Sequence, residues 1–396
     1  MRIVGGGGIT TVGRLKRRSK MMIIHNSDSV GGLLFRRTLT LILFFAFVGV
    51  PSLYLYSAVY HPFDFHSSSN NLLTGSAFSY NINHSEDSDE VRLERVLKEA
   101  SMGQRTVILT TLNEAWAAPG SIFDLFLESF RIGDNTSKLL NHLVIIALDQ
   151  KAYSRCLAVH SHCFPLSTQG VDFSKEAYFM TPDYLKMMWR RIAFLLSVLE
   201  MGYNFIFTDA DIMWFRDPFP RFYPDADFQI ACDLFFGSSY DLQNRPNGGF
   251  NYVKSNNRTI EFYKFWYSSR DIHPGYHDQD VLNMIKFDPF IMEIGLKMRF
   301  LNTAYFGGFC ESSKDLNQVC TMHANCCLGL DNKVHDLKIM LDDWRKFLSL
   351  PQTLKRSNQS AWRVPQNCSL ASLHTNNLPM ENVEEGVVVE IGDTQN

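Results

Sequence analysis

Residues 204–215 constrain the fold of this chain more than any other stretch. Phe205-Ile206-Phe207 is an apolar run that leads through Thr208 into Asp209-Ala210-Asp211, and the chain then turns apolar again at Ile212-Met213-Trp214-Phe215. Such a run suits a buried strand. Ligands of an α/β sheet bind at the carboxyl ends of its strands, so two aspartates at a strand tip would point into the binding crevice. Side by side, these hard oxygen ligands suit Mg²⁺ or Mn²⁺ carrying phosphate rather than a structural zinc. A bare Asp-x-Asp also occurs in solvated turns and helix caps, so its surroundings must decide.

Those surroundings alternate strand and helix. Thr106–Leu112 reads as a strand, and Pro119-Gly120-Ser121 opens a helix running to about Arg131. Residues 142–148 form a second apolar strand, followed by a helix from Gln150. Thr181-Pro182-Asp183 combines a cap, a first-turn proline and an early acid, and its helix should run to Met201, where Gly202 ends it. The βαβα order predicts a doubly wound, mostly parallel sheet. No Gly-x-Gly-x-x-Gly is present, so a dinucleotide fold has no support. Later segments are less regular. Residues 228–232 are strand-like, residues 247–251 read as a tight turn into another strand, and residues 259–269 as an aromatic-rich helix. His277-Asp278-Gln279-Asp280 starts a short helix, where acids suit the dipole, and residues 333–348 form a last amphipathic helix.

Outside this core the chain changes character. Residues 1–37 are basic and glycine-rich, and 38–60 carry no charge. At 1.5 Å per residue the second segment is long enough to cross a hydrocarbon core of roughly 30 Å. Arginines precede it and Asp64 follows, which predicts an uncleaved signal-anchor with type II topology. The expected division is a cytosolic tail 1–37, a membrane helix 38–60, a lumenal stem 61–103 in which residues 91–100 read as a short amphipathic helix, a globular domain 104–350 and a carboxyl-terminal extension 351–396. Asn-x-Ser/Thr sites at Asn83, Asn135, Asn257, Asn358 and Asn367 fit a lumenal chain. Eight cysteines there can oxidise, and Cys156–Cys163 and Cys310–Cys320 are candidate local bridges. A net charge of −3 argues against a nucleic-acid partner.

Four stretches carry a family resemblance. Residues 107–113, 202–211, 278–283 and 322–327 (Met322-His323-Ala324-Asn325-Cys326-Cys327) lie in order across nearly the whole globular part. Together they resemble the plant nucleotide-diphospho-sugar transferase family, glycosyltransferase group 77. The resemblance implies an α/β fold of the GT-A type and a metal-dependent, retaining transfer of sugar from a UDP-sugar, of arabinose, xylose or galactose type. It implies a cell-wall glycan or glycoprotein acceptor and a Golgi membrane location. Mn²⁺ (or Mg²⁺) would be held by Asp209, Asp211 and His323. Arg191, Thr110, Asn113 and Asp209 would face the donor, and Gln279, Asp278 and Asp280 would lie against its sugar. Homo- and hetero-oligomers both stay open. Physical reasoning supports such a site, because a divalent ion bridging two phosphates draws negative charge from a departing nucleoside diphosphate.

Two rivals stay on the page. A phosphatase using the first Asp of Asp-x-Asp looks for Thr or Val two places after the second, where Met213 stands. A catalytically inactive glycan-binding or scaffold protein would not need Asp209, Asp211, Gln279 and His323 together. Heat protection by UDP that depends on Mn²⁺ and vanishes in Asp211→Ala separates enzyme from scaffold.

Overall fold

Side chains on successive strand residues point to opposite faces, and β1 (Thr106–Leu112) shows what that does here. Ile108 and Leu112 enter one hydrophobic core, Val107 and Leu109 the other. A strand buried on both faces reads as a continuous apolar run, and β2 (Leu143–Ala147) is the same. The computed structural model describes residues 88–166, 168, 172–176, 180–356 and 361–369.

The remaining strands and helices follow in chain order. Helix α1 (Asp89–Ala100) precedes β1; α2 (Glu114–Ala117) and α3 (Ile122–Ile132) lie between β1 and β2. Then come α4 (Gln150–Val159), β3 (Cys163–Pro165), α5 (Pro182–Glu200), β4 (Asn204–Thr208) and β5 (Ile212–Trp214). Next are β6 (Phe228–Leu234), β7 (Arg245–Val253), α6 (Asn257–Ser268), α7 (Asp278–Ile285), α8 (Pro289–Glu293) and β8 (Met298–Phe300). The last are β9 (Phe306–Gly308), β10 (Thr321–His323), α9 (Leu330–Ser349) and α10 (Gln352–Arg356).

A seven-stranded sheet has the order β3-β2-β1-β4-β7-β6-β8. Its pairs are parallel except on either side of β7, which runs antiparallel to β4 and β6. The expected mixed α/β architecture with a mainly parallel sheet is thus present. Helices α3 and α9 cover one face, with Phe126, Phe130, Trp344 and Phe347 buried in the same core. Helices α1, α5, α6 and α7 cover the other. A second, three-stranded sheet, β5-β10-β9, follows directly from the tip of β4.

Caps fix the helices where the sequence places them. Thr181 Oγ1 accepts from the Tyr184 N–H at the start of α5, and Gly202, at φ 79°, lets the chain turn back into β4. Several boundaries differ from expectation. The expected turn at residues 247–251 is instead the middle of β7. The short amphipathic helix expected over residues 91–100 is present as α1, two residues longer at its start, and it buries Leu93, Leu97 and Ala100 against the sheet. Cys156 does bond Cys163, whereas Cys310 bonds Cys326, Cys327 bonds Cys368, and Cys320 is a buried free thiol. Adjacent cysteines in the loop after β10 thus serve two separate bridges, which spacing alone does not reveal.

The localisation needs correction. Among the described residues no helix is long and apolar enough to cross a membrane. The basic tail 1–37, the expected span 38–60 and stem residues 61–87 lie outside the described residues. The Golgi, single-pass type II placement, with its membrane contact, is withdrawn on that finding.

Part of the extension beyond residue 350 belongs to the core. Buried Asp336, on α9, accepts the backbone N–H groups of Gln366, Asn367 and Cys368 at 2.7, 3.1 and 3.0 Å. With the Cys327–Cys368 bond, this carboxylate pins residues 361–369 to α9. Asp336→Ala should lower unfolding stability by about 2–3 kcal/mol, since hydrogen bonds to a charged group are the strong ones and the buried Cys368 N–H is left without its acceptor. Urea denaturation measures it, and a change within error would show that the disulfide alone holds the segment.

Candidate active site

Asp209 and Asp211 sit where β4 ends and β5 begins, at the carboxyl tip expected from the sequence. Two backbone contacts set their positions. The Asp209 N–H donates to the Gly249 carbonyl at 2.7 Å, and the Asp211 carbonyl accepts from the Ala324 N–H at 3.0 Å. Antiparallel pairing of β5 with β10 places His323 opposite Ile212, one residue beyond Asp211. The result is a triad in which one ligand atom each from Asp209, Asp211 and His323 lie within 4.8 Å of one another.

This donor set fits a divalent cation. Two carboxylates and an imidazole offer the oxygen and nitrogen ligands that Mn²⁺ accepts. Asp211 Oδ1 is buried without a hydrogen bond of good geometry, and it faces His323 Nε2 at 3.1 Å. The space around the triad is kept by Gly249, where a Cβ would stand 2.5 Å from Asp209 Oδ2 and 2.7 Å from His323 Cε1. Crowding separates the two acids electrostatically. Burial and the neighbouring Asp211 charge push the Asp209 carboxyl up, against the pull of Arg191. Burial would raise Asp211 too, but Lys333 and His323 outweigh it and hold Asp211 well below the ordinary carboxylate range.

Arg191 ties the triad to the second acidic segment. Its side chain is 5% exposed and reaches Asp209 Oδ1 at 3.1 Å with Nη1 and Asp278 Oδ2 at 2.5 Å with Nη2. The Phe207 ring lies beneath the guanidinium, 4.9 Å from its centroid. Burial disfavours the Asp278 anion, yet Arg191 and His277 hold its carboxyl below the usual range. Asp280 turns the other way, on the same first turn of α7, and its Oδ2 meets His277 Nε2 at 3.3 Å.

Gln279 is oriented on both sides. Its Oε1 accepts from the Gly248 N–H at 2.9 Å and its Nε2 donates to Asp233 Oδ2 at 2.8 Å. Since the backbone N–H can only donate and the carboxylate only accept, the amide has one orientation. Asp233 also accepts from the amides of Asn247 and Asn325, both at 2.8 Å. It is therefore the hub of three amides drawn from β7, α7 and the loop after β10.

The structure brings Arg191, Asp209, Asp211, Asp278, Gln279 and His323 into one connected site. Asn113 is engaged otherwise: it caps α2 through Trp116 N–H and donates to the Phe173 and Lys175 carbonyls. Thr110 is fully buried within β1, with its hydroxyl unpaired among the described residues. Sequence reasoning missed three members. Lys333, on the first turns of α9, donates to Asp211 Oδ2 at 2.5 Å, and nothing in its sequence neighbourhood distinguishes it from other helical lysines. Asp233 follows the apolar run of β6, so the strand-tip argument that singled out Asp209 would have found it. Asn325 lies two residues past His323 and carried no signal of its own.

Residues 138–337 match the family described as nucleotide-diphospho-sugar transferase. An uncharacterized protein of Arabidopsis thaliana is 53% identical over 281 residues, covering 71% of this chain and 74% of that one. A second uncharacterized Arabidopsis thaliana protein is 40% identical over 294 residues, 72% of this chain and 86% of its own. A UDP-D-xylose:L-fucose alpha-1,3-D-xylosyltransferase of the same plant is 25% identical over 134 residues, 33% of this chain and 35% of its own.

Two substitutions test the geometry. Arg191→Met takes the guanidinium from buried Asp278, leaving only His277 beside it, and should destabilise the fold by about 3–5 kcal/mol. The lowered Asp278 pKa contributes stability above the unfolded carboxylate value, about 4, and loses it as the pH falls further. The deficit of Arg191→Met should therefore be full near neutral pH and shrink below that value in acid denaturation curves. Gly249→Ala should keep the circular dichroism of the fold but weaken Mn²⁺ binding in calorimetry by about 10–100-fold, as loss of ligand positioning does elsewhere.

Proposed function

The chain belongs to the nucleotide-diphospho-sugar transferase family and is a glycosyltransferase of nucleotide-sugar donors; from that premise we propose that it moves a sugar from a UDP-sugar to a glycan or glycoprotein with retention at the anomeric carbon, in a site of the GT-A type. The observation that carries this reading is the linked pair of clusters: Asp209, Asp211 and His323 on one side of Arg191, Asp278 and Gln279 on the other. Asp209, Asp211 and His323 would hold Mn²⁺ or Mg²⁺, which when bound acts as a Lewis acid toward the diphosphate. Donors of the arabinose, xylose and galactose type fit the reading, and the UDP-xylose relative supports it.

The chain's own residues supply the rest. Lys333 and Arg191 bring two positive charges to the place where a nucleoside diphosphate would leave, and such preorganised charge lowers the barrier where charge develops. Asp278, held by Arg191, is placed to accept hydrogen bonds from donor hydroxyls, with Asp280 at the rim of the same helical turn. Gln279 presents an amide oxygen whose second lone pair is free to face a sugar ring. An amide is a poor nucleophile, so the favoured course is front-face displacement. The bond from the anomeric carbon to the diphosphate oxygen breaks with its electron pair going to UDP. The acceptor hydroxyl bonds to the same face, and its proton passes to the departing diphosphate. Gln279 stabilises the positive charge on the sugar, and Asp233 keeps the amide turned for that task.

Incubation with a panel of UDP-sugars and Mn²⁺, following UDP release, tests the function; release with one of the pentose or galactose donors is expected, and none under any condition would return the scaffold reading. Gln279→Ala should lower kcat by about 100–1,000-fold with a smaller change in KM, because the contact is made to charge that appears in the transition state. An equal rise in KM with kcat unchanged would make Gln279 a binding residue only.

A further inference from the structure

Helix α5 borders a second cleft, where it faces the segment between α6 and α7. The cleft holds about 450 Å³ and is walled by Trp189, Tyr267 and Tyr276, with Lys186, Arg190 and Arg270 among them. Trp189 is locked in place by donating its Nε1–H to the Tyr276 carbonyl at 3.2 Å, and its ring meets that of Tyr267 edge-on, at 6.4 Å between centroids. Arg270 lies over the Tyr267 ring, 3.6 Å from its centroid, with Nε held 3.3 Å from Asp271 Oδ1. Two guanidinium nitrogens here, Arg190 Nε and Arg270 Nη1, are buried and have no hydrogen-bond partner among the described residues. Buried donors left unpaired are costly, and arginine forks match carboxylates in geometry and charge. Three cations line the cleft against the one acid, Asp271, with Lys186 also 3.5 Å from Asp183 at the helix start.

We infer that this cleft binds a saccharide that carries a carboxylate, a uronate-type sugar, with the carboxylate against the guanidinium groups of Arg190 and Arg270 that line it and the ring against Trp189 and Tyr276. Aromatic faces take up the apolar C–H side of a sugar, while a bare inorganic anion would make no use of them. Tyr276 lies two residues before Asp278, so an occupant would border the donor end of the site. The inference goes beyond the transfer reaction: it is read as equilibrium binding with no donor present, so its failure and that of the transferase reading are separately visible.

Calorimetric titration of the full chain with a galacturonic acid trisaccharide, its carboxyl-reduced counterpart, inorganic phosphate and UDP tests it. The acidic trisaccharide should bind at least about tenfold tighter than the reduced one and weaken with added salt. The double variant R190Q/R270Q should lose at least about tenfold of that affinity, and Trp189→Ala should weaken both trisaccharides together. Thermal melting of each variant near the wild-type temperature would show that the loss is not unfolding. Equal affinity for the acidic and reduced sugars, or unchanged affinity in the double variant, would overturn the assignment. So would competition by phosphate at equal strength, which would leave a plain anion site, or full displacement by UDP, which would make the cleft part of the donor site.

Discussion

A buried guanidinium between two carboxylates organises this molecule. Arg191 is nearly inaccessible and is bonded to Asp209 at the tip of β4 and to Asp278 at the start of α7. Each partner is costly to bury alone, and removal of one leaves an uncompensated charge. The arrangement couples the Asp209–Asp211–His323 triad to the first turn of α7 through one planar, always charged group. The same crowding requires Gly249, where a Cβ would collide with Asp209 and His323, and leaves little room at Gly248, where one would lie 3.3 Å from Arg191 Nη2.

The second constraint is the small sheet. A chain that leaves β4 after Thr208 makes two acids available, but the third member of the triad must come from far along the sequence. Antiparallel pairing of β5 with β10 delivers His323 in register with Ile212. Two disulfides just beyond that strand, Cys310–Cys326 and Cys327–Cys368, join the loop after β10 to the loop after β9 and to the segment pinned on α9. Helix α9 in turn sends Lys333 to Asp211. The site is thus assembled from both sheets and both helical layers.

Much of this was legible in the residues. The strands β1, β2 and β4 are continuous apolar runs, and the ends of α5 carry the cap, proline and glycine that local chemistry requires, so their placement followed from short-range rules. Asp209 and Asp211 were visible because a strand tip has a known direction. What was hidden depends on long-range pairing. Residues 247–251 carry two adjacent glycines and read as a turn, yet they form the middle of β7, because close approach to Asp209 and His323, not a reversal, is what excludes a side chain there. Lys333 and the hub at Asp233 owe their roles to neighbours 122 and 46 residues distant from them. Asn113, drawn toward the donor by resemblance, spends its amide on holding the loop after β3.

The proposed transfer requires one divalent cation held jointly by Asp209, Asp211 and His323 beside Arg191. Anomalous diffraction from crystals grown with Mn²⁺ and UDP measures that directly. A single manganese peak within coordination distance of all three side chains, with the diphosphate on its open side, is the predicted result. A peak elsewhere, or UDP seated with Lys333 still bonded to Asp211 and no manganese at the triad, would contradict it.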